Sequence, residues 1–132
     1  MSDSYYIGSY RDDALHGPNR GWIVGTFIKD APRKNDEVEI MYWEFEAGKP
    51  SNHPTKISSI IECTFILKGK IKSFIDGAET VLKAGDYIVI QPRTPNNLQI
   101  EILEDAAGIT VKAPSDPSAK QIIHQTSHSA TD

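Results

Sequence analysis

The chain has 132 residues, 39% of them hydrophobic and 24% charged, enough for one globular domain with a single core and too few for two. Its 18 acidic and 14 basic residues leave a formal charge of −4 without any basic run, which removes the electrostatic footprint of a nucleic-acid binder. No apolar run approaches the roughly 20 residues of a membrane span, "MSDSYYIGSYRDD" lacks the apolar core and basic start of a secretory signal, and the single Cys63 cannot close an internal disulfide. The expected location is the cytoplasm.

In chain order, residues 1–21 form an N-terminal segment available to add an edge strand, and 22–114 carry the barrel. Within them, residues alternate every second position, with Val, Ile, Thr, Tyr and Phe between turn signals. The predicted strands are Trp22 to Ile28, Val38 to Glu46, Ile60 to Leu67, Ile71 to Ile75, Glu79 to Leu82, Tyr87 to Gln91, Leu98 to Leu103 and Ile109 to Ala113. Asp76-Gly77 is a strong two-residue hairpin signal, because both central positions of that turn need positive φ. "KGK", "KAGD" and "EDAAG" mark further tight turns. "APSDPSAKQIIHQTSHSATD" begins with two prolines that stop strand pairing and ends in small polar residues, so residues 115–132 form a tail expected to be partly mobile. His124 and His128 in it have the spacing of a helical metal pair, but their polar surroundings read as solvated tail. The pattern is all-β, a sandwich, jelly roll or small barrel.

Two strands have one apolar and one mixed face. Met41, Trp43 and Phe45 oppose Tyr42, Glu44 and Glu46; Cys63, Phe65 and Leu67 oppose Glu62, Thr64 and Ile66. From pattern alone the apolar faces make the core, while Glu44, Glu46, Glu62 and Thr64 look at water. Trp22 and Trp43 read as core. His53 stands before Pro54, at a strand end or in a loop. No nucleophile elbow or phosphate loop is present.

"FEAGKPSNH", "ECTFILKG" and "GDYIVIQPRTPN" resemble, in order and separation, the two motifs of the cupin superfamily: a glycine, a His-x-His pair, a glutamate and a glycine, then Gly-Asp, a strand, a Pro-rich corner and a histidine. The resemblance covers about Val38 to Ala113 and implies a small single-domain RmlC-like cupin, a β-barrel of the double-stranded β-helix or jelly-roll type. It places Glu62 and Thr64 inside the barrel, which leaves Phe65 and Leu67 outside to be covered by a second subunit; a homodimer is expected.

The ligand positions depart from the family. Glu62 is in place, His53 sits further from it than the motif's spacing, and Asn96 stands where the third histidine belongs. A tight transition-metal site takes at least three protein ligands, so a metal-free pocket is expected; a divalent metal held by His53, Glu62 and Asn96 is the alternative. Candidate ligand-binding residues are Glu62, Thr64, Asn96 and Tyr42, with Lys56 and Arg93 suited to a carboxylate or phosphate at the mouth. Three functions are compatible with this reading: a small-molecule-binding domain, an enzyme, or a barrel serving assembly. The enzyme is either a metal-free isomerase or epimerase using His53, Tyr42 and Glu62 for proton transfer, or a metal-dependent dioxygenase or lyase with an irregular site.

Overall fold

Asp76 and Gly77 adopt φ values of 49° and 88°, the pair of positive angles their sequence predicts, and Ile75 pairs with Ala78 across the turn. From that hairpin the sheet grows in both directions. The structure, a computed structural model, describes residues 4–49 and 53–123; His124 and His128 lie outside the described residues.

The described elements, in order, are α1 (Tyr10–Leu15), β1 (Trp22–Val24), β2 (Glu39–Phe45), β3 (Lys56–Ser58), β4 (Ile61–Ile75), β5 (Ala78–Lys83), β6 (Tyr87–Ile90), β7 (Asn96–Ala113) and β8 (Lys120–Ile122). All strands belong to one curled antiparallel sheet, a jelly roll, with β4 and β7 as its spine. The first half of β4 pairs with β6 and with the second half of β7; its second half pairs with β5 and with the first half of β7.

The predicted strands Ile60 to Leu67 and Ile71 to Ile75 are therefore one strand, as are Leu98 to Leu103 and Ile109 to Ala113. "KGK" and "EDAAG" are not turns. They face each other, Lys68 against Ala107 and Lys70 against Glu104, at register shifts where both strands bend together. Gly69 has a φ of 79° there, and a Cβ on it would collide with the Asp105 carbonyl.

Among its described residues the N-terminal segment adds no edge strand. "YRDDAL" forms α1, capped by Ser9, whose Oγ accepts a hydrogen bond from the Asp12 N–H at 3.3 Å, with Asp12 and Asp13 in the first turn where the helix dipole favours acids. β1 stops at Val24, earlier than predicted, because the chain turns at Gly25 to bridge Lys34. The prolines at 114 and 117 do not end pairing for good: past them β8 returns to pair with β3, Lys56 opposite Ile122.

Burial settles the two-faced strands differently. Along β4, Glu62, Thr64 and Ile66 are buried, while Phe65 and Leu67 are exposed. Along β2, the apolar face turns inward, and Trp43 joins Ile66, Ile71, Ile102 and Ala106 in the interior core. The opposite face of β2 packs Tyr42 with Ala14 and Ala107 under α1. Both halves of the pattern thus meet on β7, where Trp43, Gly108 and Ile66 lie in one row and Met41, Thr110 and Thr64 in the next. Gly108 is required in its row because a Cβ would run into the Trp43 indole.

Candidate functional site

The same register brings Glu62 on β4 opposite Lys112 on β7, one row beyond the Thr64 and Thr110 pair. Two polar residues per strand on the inner face cannot be absorbed by the apolar core, and they open into a cavity of about 240 Å³ at one end of the roll. Trp22, Met41, Trp43 and Phe45 form its apolar wall; His53, Lys56, Glu62, Asn97, Thr110 and Lys112 contribute the polar groups, with Lys120 from β8.

Glu62 is 3% exposed. Its Oε1 receives the Lys56 ammonium at 2.5 Å and lies 4.0 Å from Lys112 Nζ. Lys56 is delivered by β3, a strand too short to stand out in the sequence, whose position is fixed by pairing with Asn96 on one side and β8 on the other. Thr64 Oγ1 and Thr110 Oγ1 share a hydrogen bond of 2.8 Å, and the Trp43 indole N–H donates to Thr110 Oγ1 at 3.1 Å. The threonines are thereby satisfied within the wall.

Lys112 lies with its ammonium 5.6 Å from the centre of the Trp22 ring. Burial pushes its pKa below the ordinary lysine value, and the Glu62 carboxylate opposes that shift. His53 stacks edge-on against Phe45, with ring centres 5.3 Å apart. Its pKa is lowered, chiefly by desolvation and further by the charge of Lys120, so the neutral imidazole is favoured. The His53 carbonyl accepts a 2.6 Å hydrogen bond from Asn97 Nδ2, which anchors this loop to β7.

Of the residues singled out in the sequence, His53, Lys56 and Glu62 come together around this cavity, and Thr64 supports its wall. Tyr42 does not join them. It stands on the outer face of β2, where its hydroxyl donates to Glu44 at 2.5 Å and Arg11 Nε pairs with the same carboxylate at 2.6 Å. The mixed face of β2 points outward because Trp43, not Tyr42, fills the row beside Gly108. Asn96 is buried beside Thr94, whose carbonyl accepts from its Nδ2 at 3.0 Å; its neighbour Asn97 lines the cavity. Arg93 lies exposed in the turn before β7, with φ of 67°, and its backbone N–H donates to Ser58.

Lys112, Asn97 and Lys120 escaped sequence reasoning. For Lys112 a signal exists: in "GITVKA", Thr110 and Lys112 alternate with Ile109 and Val111, the same mixed-face pattern as Glu62 and Thr64.

Among the described residues no group of three or more His, Cys, Asp or Glu side chains is placed to hold a metal ion. Glu62, the one acid of the cavity wall, already carries a lysine ammonium at hydrogen-bond distance, and a second lysine lies at 4.0 Å. A divalent cation at Glu62 would meet both charges, so the donor set does not fit one.

The family model described as "Cupin domain" matches residues 41–105. An RmlC-like cupin from Shewanella frigidimarina NCIMB 400 superposes with a TM-score of 0.55 at 18% identity, over 63% of this chain and 71% of that one. An RmlC-like cupin family protein with a double-stranded beta-helix fold from Methanocaldococcus jannaschii gives 0.54 at 20%, over 61% and 73%. A mutant of the salicylate 1,2-dioxygenase of Pseudoaminobacter salicylatoxidans gives 0.58 at 16%, over 68% of this chain but 27% of the dioxygenase. No curated protein matches the chain. A cupin domain over residues 41–105 and the likeness to RmlC-like cupins give the chain the fold of a small cupin. At these identities the structural likeness carries the fold and not an activity.

Proposed function

We propose that this protein binds a small molecule in the cavity around Glu62 and does so without a tightly held transition metal. The observation that carries this reading is the 2.5 Å contact between the Lys56 ammonium and the Glu62 carboxylate, which puts a side-chain cation against the one family ligand that the sequence retains. A cavity of about 240 Å³ is somewhat below the roughly 300–1,000 Å³ of sites for drug-sized ligands, which suits a compact metabolite. Native mass spectrometry with elemental analysis, on protein purified without chelators, tests the reading. Less than a tenth of an equivalent of iron, zinc, nickel or manganese per chain is expected; one equivalent overturns it.

A proton-transfer enzyme is the second reading, supported by His53 and Glu62 lining one cavity and by the preference of His53 for its neutral, basic form. The placement of Tyr42 on the outer face takes away the third member of the set proposed from sequence. The protein is further proposed to be a homodimer, through the exposed face of β4 and β6, and to work in the cytoplasm, where a lone Cys63 stays reduced. Among the described residues no helix is long and apolar enough to cross a membrane.

A further inference from the structure

Besides the Asn97 amide oxygen, which is buried without a hydrogen-bond partner, Lys112 is the group in the cavity whose chemistry is incomplete. Its side chain is 12% exposed, its closest carboxylate oxygen is 4.0 Å away, beyond hydrogen-bond reach, and no described residue accepts a hydrogen bond from its ammonium. An ammonium largely withdrawn from water and without an acceptor in hydrogen-bond reach is costly, and a fold tolerates it where something else supplies the acceptor.

The surrounding charges indicate what that is. Lys56, Lys112 and Lys120 line the cavity, against Glu62 alone. Lys56 takes Glu62 at 2.5 Å and Lys112 reaches the same carboxylate only at 4.0 Å, so three ammonium groups share one carboxylate and the cavity wall carries a net positive charge. Glu39, on β2 opposite Lys112 of β7, lines an adjoining cavity that Lys112 and Lys120 also border, and its Oε1 is taken by the Asp116 N–H at 2.9 Å. The Asp116 carboxylate, in that same cavity, is held by Ser118 through its N–H at 2.9 Å and its hydroxyl at 2.6 Å. Neither acid forms an ion pair with Lys112. The rest of the wall is Trp22, whose ring centre lies 5.6 Å from the Lys112 ammonium, with Met41, Trp43 and Phe45, a surface with no charge to offer a polar ligand.

We infer that the ligand is a small organic carboxylate, its anionic end meeting Lys112 and Lys120 and its apolar body lying on the Trp22, Trp43 and Phe45 wall. This rests on the cavity being the binding site proposed above, and it adds the chemical class of what binds. Charge-assisted hydrogen bonds from the ammonium groups would supply the acceptors that Lys112 lacks. The tight Lys56 and Glu62 pair leaves Lys56 out of this role and makes it a positioning residue for Glu62.

Both tryptophans of the chain, Trp22 and Trp43, line the cavity, so intrinsic fluorescence reports its occupancy. The test titrates the full chain with matched pairs of nearly equal shape, benzoate with benzamide and butyrate with butyramide, and with inorganic phosphate. At least one carboxylate is expected to bind tenfold or more tightly than its amide. Lys112→Met and Lys120→Gln are each expected to cut that preference at least threefold while amide binding stays unchanged; Lys120 is exposed, so its variant carries the test if Lys112→Met does not fold. Amides binding as tightly as carboxylates would overturn the assignment of an anion and leave the binding cavity standing. Phosphate bound more tightly than every carboxylate would overturn the carboxylate. No fluorescence response to any probe would remove this inference together with the reading on which it rests.

Discussion

Glu62 lies on β4 and Glu46 just past the end of β2, two strands that both pair with β7, and their surroundings set them apart. Glu62 is buried between two lysines, whereas the Glu46 side chain is 71% exposed and touches Lys49 at 3.6 Å. Glu62→Gln would leave Lys56 and Lys112 as buried cations without their counter-charge, and breaking a buried pair from one side costs about 3–5 kcal/mol. Urea unfolding should show a loss of that order for Glu62→Gln and a change within about 0.5 kcal/mol for Glu46→Gln. Equal effects would mean that the Lys56 contact is not formed in solution. Glu44 offers a pH test. Hydrogen bonds from Arg11 first, and then from Tyr42, lower its pKa from 4.5 to about 2. A carboxylate held lower in the folded state contributes stability above its unfolded value and loses it as pH falls through the folded one. The stability difference between wild type and Glu44→Gln should therefore be level above pH 4.5 and shrink between 4.5 and about 2. A difference that persists unchanged at pH 2 would show that the Arg11 and Tyr42 contacts add nothing.

At the scale of elements, the bend shared by β4 and β7 shapes the roll, and Gly69 stands at its tightest point. Gly48 has nearly the same φ, 78° against 79°, but a Cβ on Gly48 would meet nothing within 4 Å, while one on Gly69 would meet the Asp105 backbone. Gly48→Ala then costs only the left-handed backbone penalty of about 1 kcal/mol, and Gly69→Ala should cost at least about 2 kcal/mol more, measured by chemical denaturation. A similar loss in both would mean that the two strands part easily at the bend. This element also shows what a single sequence conceals. "KGK" and "EDAAG" carry turn residues, and only pairing with each other over a long separation makes them a continuous ladder. Asp76-Gly77 was legible because its geometry is local. Residues near Glu62 divide the same way: its inward face follows from alternation and spacing, whereas Lys56 and Lys120 reach the cavity on three-residue strands that owe their form to tertiary pairing. Tyr42 was misplaced because alternation fixes which residues share a face and not which face turns inward.

For the whole molecule, turning Glu62 and Thr64 inward has a cost on the other side of the sheet. Phe65, Leu67, Tyr87 and Val89 stand between 43% and 65% exposed on the outer face of β4 and β6, with Phe65 and Tyr87 stacked at 5.8 Å. Cross-strand pairing puts Phe65 opposite Tyr87 and Cys63 opposite Val89, so the patch is continuous, whereas scattered single apolar residues would need no explanation. α1 does not cover it, because that helix packs on the face of β2 with Tyr10 against Tyr42. A second copy of the chain offers the same patch in return, and a twofold interface needs only that self-complementarity. Light scattering at micromolar concentration should therefore report twice the 14.6 kDa chain mass, and Phe65→Asp should reduce it to that of one chain. Because Phe65 and Glu62 lie on opposite faces of β4, the monomeric variant should keep the tryptophan fluorescence of the cavity unchanged. A wild-type protein of single-chain mass would refute the dimer, and a Phe65→Asp variant that stays dimeric would move the interface away from this face.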